Sequence, residues 1–220
     1  MKKESSSKIE VLTTIKMCRM SIVAPVDTMG ASVVPSTDLN IRKFQILVKL
    51  ILSIQSKDEV THRVFHYLNN EIDTITPENI LKINNLETMI KGINFYRRKS
   101  TTIKEVSRVV VNDGSILDDV IRLKRISGIG NKILKIYSKT ALEIDIGVGV
   151  DLHVHRILNR LGIVETKNAI ETDKVFSYKE YSDIEDLNRI LVGFGQVICK
   201  AVPLCSQCVV KDECKFNNSR

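Results

Sequence analysis

Hydrophobic positions recur along this chain at the spacing of amphipathic helices. Between Ile41 and Ile54, apolar side chains return every three or four residues, which places them on one face of a helix. Strand-like alternation is confined to the short stretch EIDIGVGV. The pattern therefore predicts an all-α fold. Further helices are predicted over residues 60–68, 77–83, 101–111, 119–125, 132–142 and 184–194.

Capping residues define the ends of the helix at 77–83 and of one further helix. In TPEN, Thr76 is a good cap followed by proline at the first helical position, and Asp151 opens a periodic helix that ends at Gly162. Residues 1–8 are polar and expected to be frayed. Residues 24–38 hold two of the four prolines, so we expect a loop or linker there.

Length and composition limit the size of the core and the kind of partner the chain can bind. At 220 residues and 43% hydrophobic, the chain can bury a core as one large domain or two small ones. Lys and Arg number 33 against 26 Asp and Glu, a net charge of +7. This excess favours an anionic partner, above all nucleic acid. A basic protein that binds nothing charged is the alternative that composition leaves open.

The N-terminus begins basic but never develops an apolar run, because Lys16 and Arg19 interrupt it. We therefore expect neither a signal peptide nor a membrane span, and no membrane partner. In an intracellular chain the five cysteines are not expected to form disulfides. Four of them fall within the last 22 residues.

These four cysteines follow the spacing C-x5-C-x2-C-x5-C and can enclose one metal centre, either a structural zinc or an iron–sulfur cluster. Zinc sites of four cysteines usually contain two close pairs, whereas this spacing contains one, which favours the larger cubane. The isolated Cys18 is expected to be a small buried hydrophobic residue. The clustered residues are Cys199, Cys205, Cys208 and Cys214.

The stretch RISGIGNKILK joins two helical segments through Gly128 and Gly130. Both glycines can adopt positive φ, and their missing side chains let another backbone approach. Amides at the start of the following helix form an anion site that suits a DNA or RNA phosphate. An ordinary helical hairpin with a glycine C-cap is the alternative.

Lys132 and Asp151 are the two candidate catalytic residues. Lys132 lies in a first helical turn, against the helix dipole, which favours the neutral amine that Schiff-base chemistry needs. Its position alone favours the simpler role of a solvated phosphate contact. Asp151 fits an N-cap, worth about 1 kcal/mol, and also a carboxylate that projects into a cleft.

Taken in order, these motifs resemble endonuclease III, the base-excision DNA glycosylase with AP lyase activity of the helix-hairpin-helix superfamily. The resemblance runs from about Ala24 to the last cysteine. ISGIGNK is similar to the family's L-P-G-V-G-x-K hairpin, VDLHVHRILNRLG to its V-D-T-H-V-x-R helix, and LSIQSKDEVT to its L-S-x-Q-T-x-D segment. APVDTMG and ILVGFGQVIC look closer to the eukaryotic branch.

The resemblance implies a role for each motif. Lys132 would attack C1′ of the deoxyribose of an oxidised pyrimidine and form a Schiff base, after which β-elimination cuts the strand 3′ to the lesion. Asp151 would assist lysine activation and stabilise positive charge on the sugar. Gln55 would fill the gap left by the flipped nucleotide, and Phe95 would act as an apolar wedge, with core packing as its alternative. The four clustered cysteines would hold a 4Fe-4S cluster of structural and DNA-positioning role.

The implied architecture is two helical lobes with a DNA cleft between them. A six-helix barrel over residues 34–144 would contain the helix-hairpin-helix. Residues 1–33 and 145–220 would form the second lobe, with the cluster loop at 199–214. The implied partner is double-stranded DNA containing damaged bases or abasic sites. We expect a monomer in the nucleus, with the mitochondrion as a second compartment, or in the cytoplasm if the source is prokaryotic.

Four departures from the family pattern accompany the resemblance. The first cysteine interval has five residues, where the family usually has six, and its loop KAVPL carries a single basic residue. Leu152 replaces a threonine beside the aspartate, and Asn94 replaces a glycine before the wedge.

Two alternative functions stay open at this point. An adenine-specific mismatch glycosylase has a similar cluster, but it lacks the lysine and usually carries an added C-terminal domain. The other alternative is a non-catalytic helix-hairpin-helix DNA-binding protein with a structural metal, in which Lys132 only contacts phosphate.

Overall fold

The structure is a computed structural model that describes residues 2–219, with side chains described over residues 7–219. This part of the chain contains no strand, and the predicted all-α fold is confirmed. Three short 3-10 helices occur at Gly114–Asp118, Tyr178–Tyr181 and Cys205–Gln207. The α-helices are α1 (Lys2–Arg19), α2 (Pro25–Met29), α3 (Leu39–Ser53), α4 (Asp58–Glu71), α5 (Pro77–Lys82), α6 (Leu86–Met89), α7 (Tyr96–Asn112), α8 (Val120–Leu123), α9 (Asn131–Leu142), α10 (Leu152–Arg160), α11 (Ala169–Val175), α12 (Leu187–Val197) and α13 (Lys215–Asn218).

The helices form two compact units. The central unit runs from Met29 to Ile146, and the split unit combines the residues up to Thr28 with those from Gly147 onwards. The predicted boundaries, 34–144 against 1–33 plus 145–220, were taken from the family pattern. These boundaries stay a prediction. The compact units differ from them by a few residues at the two points where the chain passes from one unit to the other.

The central unit is built around α3. Residues 43–52 of this helix are all buried, because α4, α7 and α9 pack against it from different sides. A helix enclosed in this way must satisfy its polar side chains internally. Gln45 does so by accepting a hydrogen bond from the Ser36 amide, and Lys49 by donating to the Val33 carbonyl. The core of this unit is mostly aliphatic, as expected for a chain poor in aromatic residues, and Phe44, Phe65 and Tyr137 are its aromatic members.

The split unit is built on α12, which packs against both α1 and α10. Leu12, Val154 and Leu191 are fully buried where these helices meet. Arg19 lies at the same junction with only 7% exposure, and its guanidinium pairs with Asp27. Burial of that charge is compensated by the carboxylate, whose pKa is lowered by the Ala24 amide and by Arg19 against the opposing effect of its own burial.

The predicted cap residues are confirmed. Thr76 accepts a hydrogen bond from the Asn79 amide at 3.2 Å, with proline at the first position of α5. Asp151 caps α10, and Gly162 follows that helix with a left-handed φ of 72°. These contacts are local, so the sequence alone was enough to predict them.

The N-terminal segment differs most from its prediction. Residues 1–8 were expected to be frayed, and this is wrong for the described part: α1 is helical from Lys2, and residue 1 lies outside the described residues. The physical reason lies further along, where Leu12 and Ile15 are buried in the core of the split unit. A helix nucleated by that packing extends backwards at little further cost. The predicted 24–38 linker likewise contains the short helix α2.

Several other helices have different bounds from their predictions, and the one predicted over 184–194 runs from Leu187 to Val197. The helix predicted over 101–111 begins at Tyr96, and the one predicted over 119–125 is reduced to Val120–Leu123 with Asp119 as its cap. Tertiary contacts of the first turn of α7, described below, explain the earlier start. No helix among the described residues has the length and apolar character needed to cross a bilayer.

Candidate functional site

The turn between α8 and α9 depends on Gly128. Its φ of 93° is left-handed, and a Cβ at this position would lie 2.5 Å from Thr102 Oγ1. The same hydroxyl donates a hydrogen bond to the Ser127 carbonyl at 3.1 Å, so α7 holds the turn directly. Ile126 and Ile129 anchor the turn from the inside, since both are buried in the central unit. Position 128 therefore favours glycine for two reasons: the positive φ, and the lack of room for a Cβ beside Thr102.

Gly130 differs from Gly128 in its backbone conformation. Its φ is −98°, an extended conformation that any residue adopts, so the freedom of glycine to take positive φ is used at Gly128 and not at Gly130. A Cβ at Gly130 would meet nothing within 4 Å. Because Gly130 has no side chain, the space in front of the first turn of α9 is open.

Lys132 is the second residue of α9, as predicted. Its side chain is half-buried, and the next two residues, Ile133 and Leu134, are buried in the core of the central unit. The buried pair fixes how α9 is rotated, so Lys132 is carried on the part of the helix that starts directly after the hairpin. Its position in the first turn places the amine at the positive end of the helix dipole.

Asp151 is held rigidly at the start of α10. Its Oδ1 accepts hydrogen bonds from the His153 amide at 2.8 Å and the Val154 amide at 2.9 Å. This confirms the capping role and fixes the direction of the carboxylate. Leu152, which follows it, is 71% exposed.

Gln55 and Phe95 lie on two turns that the structure brings together within the central unit. Both have left-handed backbones, with φ of 50° and 57°. Phe95 is 62% exposed, so core packing is wrong for this residue. Asn94 Nδ2 donates to the Gln55 carbonyl at 2.6 Å and joins the two turns.

Lys99, which the sequence analysis missed, binds the same region. It is buried in the first turn of α7, and its Nζ donates to the Leu52 carbonyl at 2.8 Å and the Ile54 carbonyl at 2.5 Å. Burial lowers the pKa of Lys99 to about 8. A lysine in a first helical turn was the feature that singled out Lys132, and the same feature could have identified Lys99 had its helix start been predicted.

The four C-terminal cysteines occupy successive turns after α12. Cys199 follows that helix, Cys205 begins a 3-10 helix that Cys208 ends, and Cys214 caps α13. All four are half-buried thiols without disulfide partners in the described part of the chain. Cys18 is also only half-buried, less than its expected role as a buried hydrophobic residue implies.

The charges of the four thiols act on one another. Burial raises the pKa of the Cys208 thiol, and its neighbours Cys199, Cys214 and Cys205 raise it further. Arg160 of α10 binds the same loop, since its Nη1 donates to Cys199 Sγ at 3.3 Å. The donor set is four half-buried thiols in one loop, and cysteine thiolates are the ligands that iron–sulfur clusters use.

Among the described residues, no three His, Cys, Asp or Glu side chains are arranged to hold a single metal ion. Thiolates around one zinc ion lie about 4 Å apart, because each Zn–S bond is about 2.3 Å. The ligands of a cubane each bind a different iron and lie farther apart. The four thiols fit a cluster by the chemistry of their donor atoms and by their grouping within residues 199–214.

Comparison with known proteins identifies the family. The model for "HhH-GPD superfamily base excision DNA repair protein" matches residues 48–179. "Endonuclease III homolog" of Encephalitozoon cuniculi is 36% identical, over 96% of this chain and 95% of its own length. The chain belongs to the endonuclease III family. "Endonuclease III-like protein 1" of Bos taurus is 34% identical, over 92% of this chain and 69% of its own length.

The fold agrees with this membership. The solved "Structure of a non-covalent Endonuclease III-DNA Complex" superposes with a TM-score of 0.79 at 22% identity, over 98% of this chain and 97% of that one. Members of the endonuclease III family are base-excision repair DNA glycosylases with AP lyase activity, which confirms the predicted enzyme class. Homologues in this family are generally 4Fe-4S proteins.

Substitution of the two hairpin glycines should separate their roles. We expect Gly128→Ala to lower the free energy of unfolding by about 1–3 kcal/mol, because the new methyl is strained by φ and collides with Thr102. Gly130→Ala should change it by less than about 1 kcal/mol, but should weaken duplex binding, because the methyl fills the open space before α9. Urea unfolding and fluorescence anisotropy with a labelled duplex measure the two effects. Equal loss of stability in both variants would contradict this account.

Proposed function

We propose that this chain removes oxidised pyrimidines from double-stranded DNA and then cuts the strand 3′ to the abasic site. The observation that carries the proposal is Lys132 in the first turn of α9, directly after a hairpin whose Gly128 backbone is fixed by Thr102. Family membership supplies the class of reaction. The identity of the lesion and the residue roles belong to the proposal.

Lys132 is the proposed nucleophile. The damaged base is flipped out of the stack, Lys132 Nζ forms a bond to C1′, and the bond between C1′ and the base breaks. The amine and the opened sugar form a Schiff base, and β-elimination then breaks the strand on its 3′ side. Attack requires the lone pair of a neutral amine.

Asp151 is the proposed partner in activation. Its Oδ1 is engaged by two backbone amides, which orient the carboxylate. A fixed negative charge stabilises positive charge that develops on the sugar as the base departs, and it assists proton transfer from the lysine. The cap and the catalytic role are compatible, because the cap supplies the orientation.

Three further residues are proposed to hold the duplex. The open space at Gly130 lets a phosphate approach the start of α9, where amides and the helix dipole favour an anion. Phe95, exposed on its left-handed turn, enters the base stack as an apolar wedge. Gln55, on the neighbouring turn, fills the gap left by the flipped nucleotide.

Cys199, Cys205, Cys208 and Cys214 are the proposed ligands of a 4Fe-4S cluster, which when bound would supply structural stability and DNA positioning. The first cysteine interval, KAVPL, contributes little phosphate binding by itself, because Lys200 is its one basic residue. We further propose a nuclear monomer, with the mitochondrion as a second compartment and the cytoplasm in a prokaryotic source. This part rests on the family resemblance alone.

The lysine is tested by strand cleavage of duplexes that contain thymine glycol or an abasic site. We expect Lys132→Ala to lower the cleavage rate about a thousandfold or more while duplex affinity changes little, because only the nucleophile is lost. Lys135→Ala, one turn further along α9, is the matched control and should cleave normally. Asp151→Asn keeps the cap oxygen and should slow base release.

Cleavage by Lys132→Ala at the wild-type rate would show that the chemistry lies elsewhere. Duplex binding without any cleavage by the folded wild-type protein would favour the non-catalytic DNA-binding alternative.

The metal centre is tested on the purified protein. We expect a brown protein with broad visible absorbance and about four irons per chain. Cys208→Ser should lose iron and colour, because it removes one of the four thiolate ligands. Cys18→Ser, outside the loop, should keep both. A colourless wild-type preparation with one zinc per chain would contradict the cluster assignment.

A further inference from the structure

Lys99 is a buried amine at the base of the two turns that carry Gln55 and Phe95. Only 4% of the residue is exposed, and its Nζ donates to the Leu52 carbonyl, the Ile54 carbonyl and, at 3.3 Å, Ser56 Oγ. An ammonium group has three donors, and three oxygens receive them. The two carbonyls belong to the C-terminal end of α3, where helical partners are lacking and the dipole is negative.

These contacts enclose Gln55. Its neighbours on both sides, Ile54 and Ser56, are bound by Lys99, and its own carbonyl is bound by Asn94 at 2.6 Å. Three consecutive residues are thus held by two side chains, one from the first turn of α7 and one from the turn that precedes it. A left-handed backbone at a residue other than glycine costs about 1 kcal/mol or more, and it persists only where surrounding contacts hold it.

The same two residues flank Phe95 in the chain. Asn94 precedes it, and the Lys99 amide donates to the Phe95 carbonyl at 3.0 Å as the first bond of α7. Phe95 therefore lies in the same segment as Asn94 and Lys99, the two residues that bind the turn at Gln55. The two exposed side chains are joined through hydrogen bonds within one unit, although 39 positions of sequence separate the bonded residues Asn94 and Gln55.

We propose that Asn94 and Lys99 are positioning residues that make Gln55 and Phe95 one rigid insertion element, so that both side chains enter the duplex together. The inference rests on the proposed function, since it assigns a cause to the placement of its two DNA-inserting residues. Neither positioning residue contacts the reacting atoms. Keeping a lysine buried has an energetic cost, because burial favours its neutral form, and the three oxygen bonds offset that cost.

Two substrates separate positioning from a general structural role. A duplex that contains thymine glycol requires insertion, because the base must leave the stack before it can be removed. A single-stranded oligonucleotide with an abasic site already exposes C1′, so Lys132 reaches it without insertion. Loss of positioning should therefore lower the first activity and spare the second, whereas loss of folding should lower both.

Asn94→Ala, Lys99→Met and the control Lys104→Met should be assayed on both substrates. Lys104 is the matched control because it lies on α7 and donates to the Ile83 carbonyl at 2.7 Å, away from Gln55. We expect a loss of about fivefold for Asn94→Ala and about tenfold or more for Lys99→Met in kcat/KM on the duplex, with single-strand cleavage within about twofold. A duplex with 2-aminopurine beside the lesion should show a smaller fluorescence rise with both variants, because insertion unstacks the probe.

The inference would be overturned if both variants kept the wild-type kcat/KM and fluorescence rise on the duplex. It would also be overturned if each variant lost the same factor of activity on the duplex and on the single strand. Should Lys99→Met fail to fold, Asn94→Ala decides, because Asn94 is exposed and its removal leaves the core intact. Failure of the proposed function is distinguishable, because the wild-type protein would then cleave neither substrate.

Discussion

The backbone conformation at Gly128 is the constraint on which the rest of the candidate site depends. Its positive φ reverses the chain between α8 and α9, and its missing side chain lets Thr102 approach the turn closely enough to bind it. The start of α9 is thereby tied to α7 and to a core that includes Ile129. Lys132 is useful as a nucleophile only if this first turn stays in place, so a steric property of one glycine underlies the proposed chemistry.

The same principle recurs at the two insertion turns of the central unit. Gln55 and Phe95 are exposed on left-handed backbones, and the contacts that stabilise them come from buried or neighbouring polar groups rather than from the exposed side chains themselves. Contacts from α7 and from Asn94 thus stabilise the strained backbones of the two residues that we propose insert into DNA. In this chain Asn94 stands where the family has glycine, so one of the hydrogen bonds that join the turns depends on a side chain that the family pattern lacks. The helix α7 therefore supports both the hairpin and the insertion turns.

Local chemistry was predictable from the sequence, and contacts between distant segments were not. The caps Thr76 and Asp151, the place of Lys132 in its helix and the clustering of cysteines all depend on residues within a few positions of one another. The exposure of Phe95 depends instead on α3 and α7 meeting, and the first turn of α7, rich in basic residues, is helical because Lys99 binds the end of α3. The sequence does not reveal whether a glycine is needed for its φ or for its missing side chain, and at Gly130 only the structure shows that the backbone is extended and the space open.

The central claim is that the amine of Lys132 becomes covalently bonded to the DNA. The most direct measurement is borohydride reduction during turnover on an abasic duplex, followed by proteolysis and mass spectrometry of the cross-linked peptide. The account predicts one modified residue, Lys132, in the peptide that begins after the hairpin, because the reduced Schiff base is a stable amine bond. A cross-link mapped to another lysine, or turnover with no trapped adduct, would contradict it.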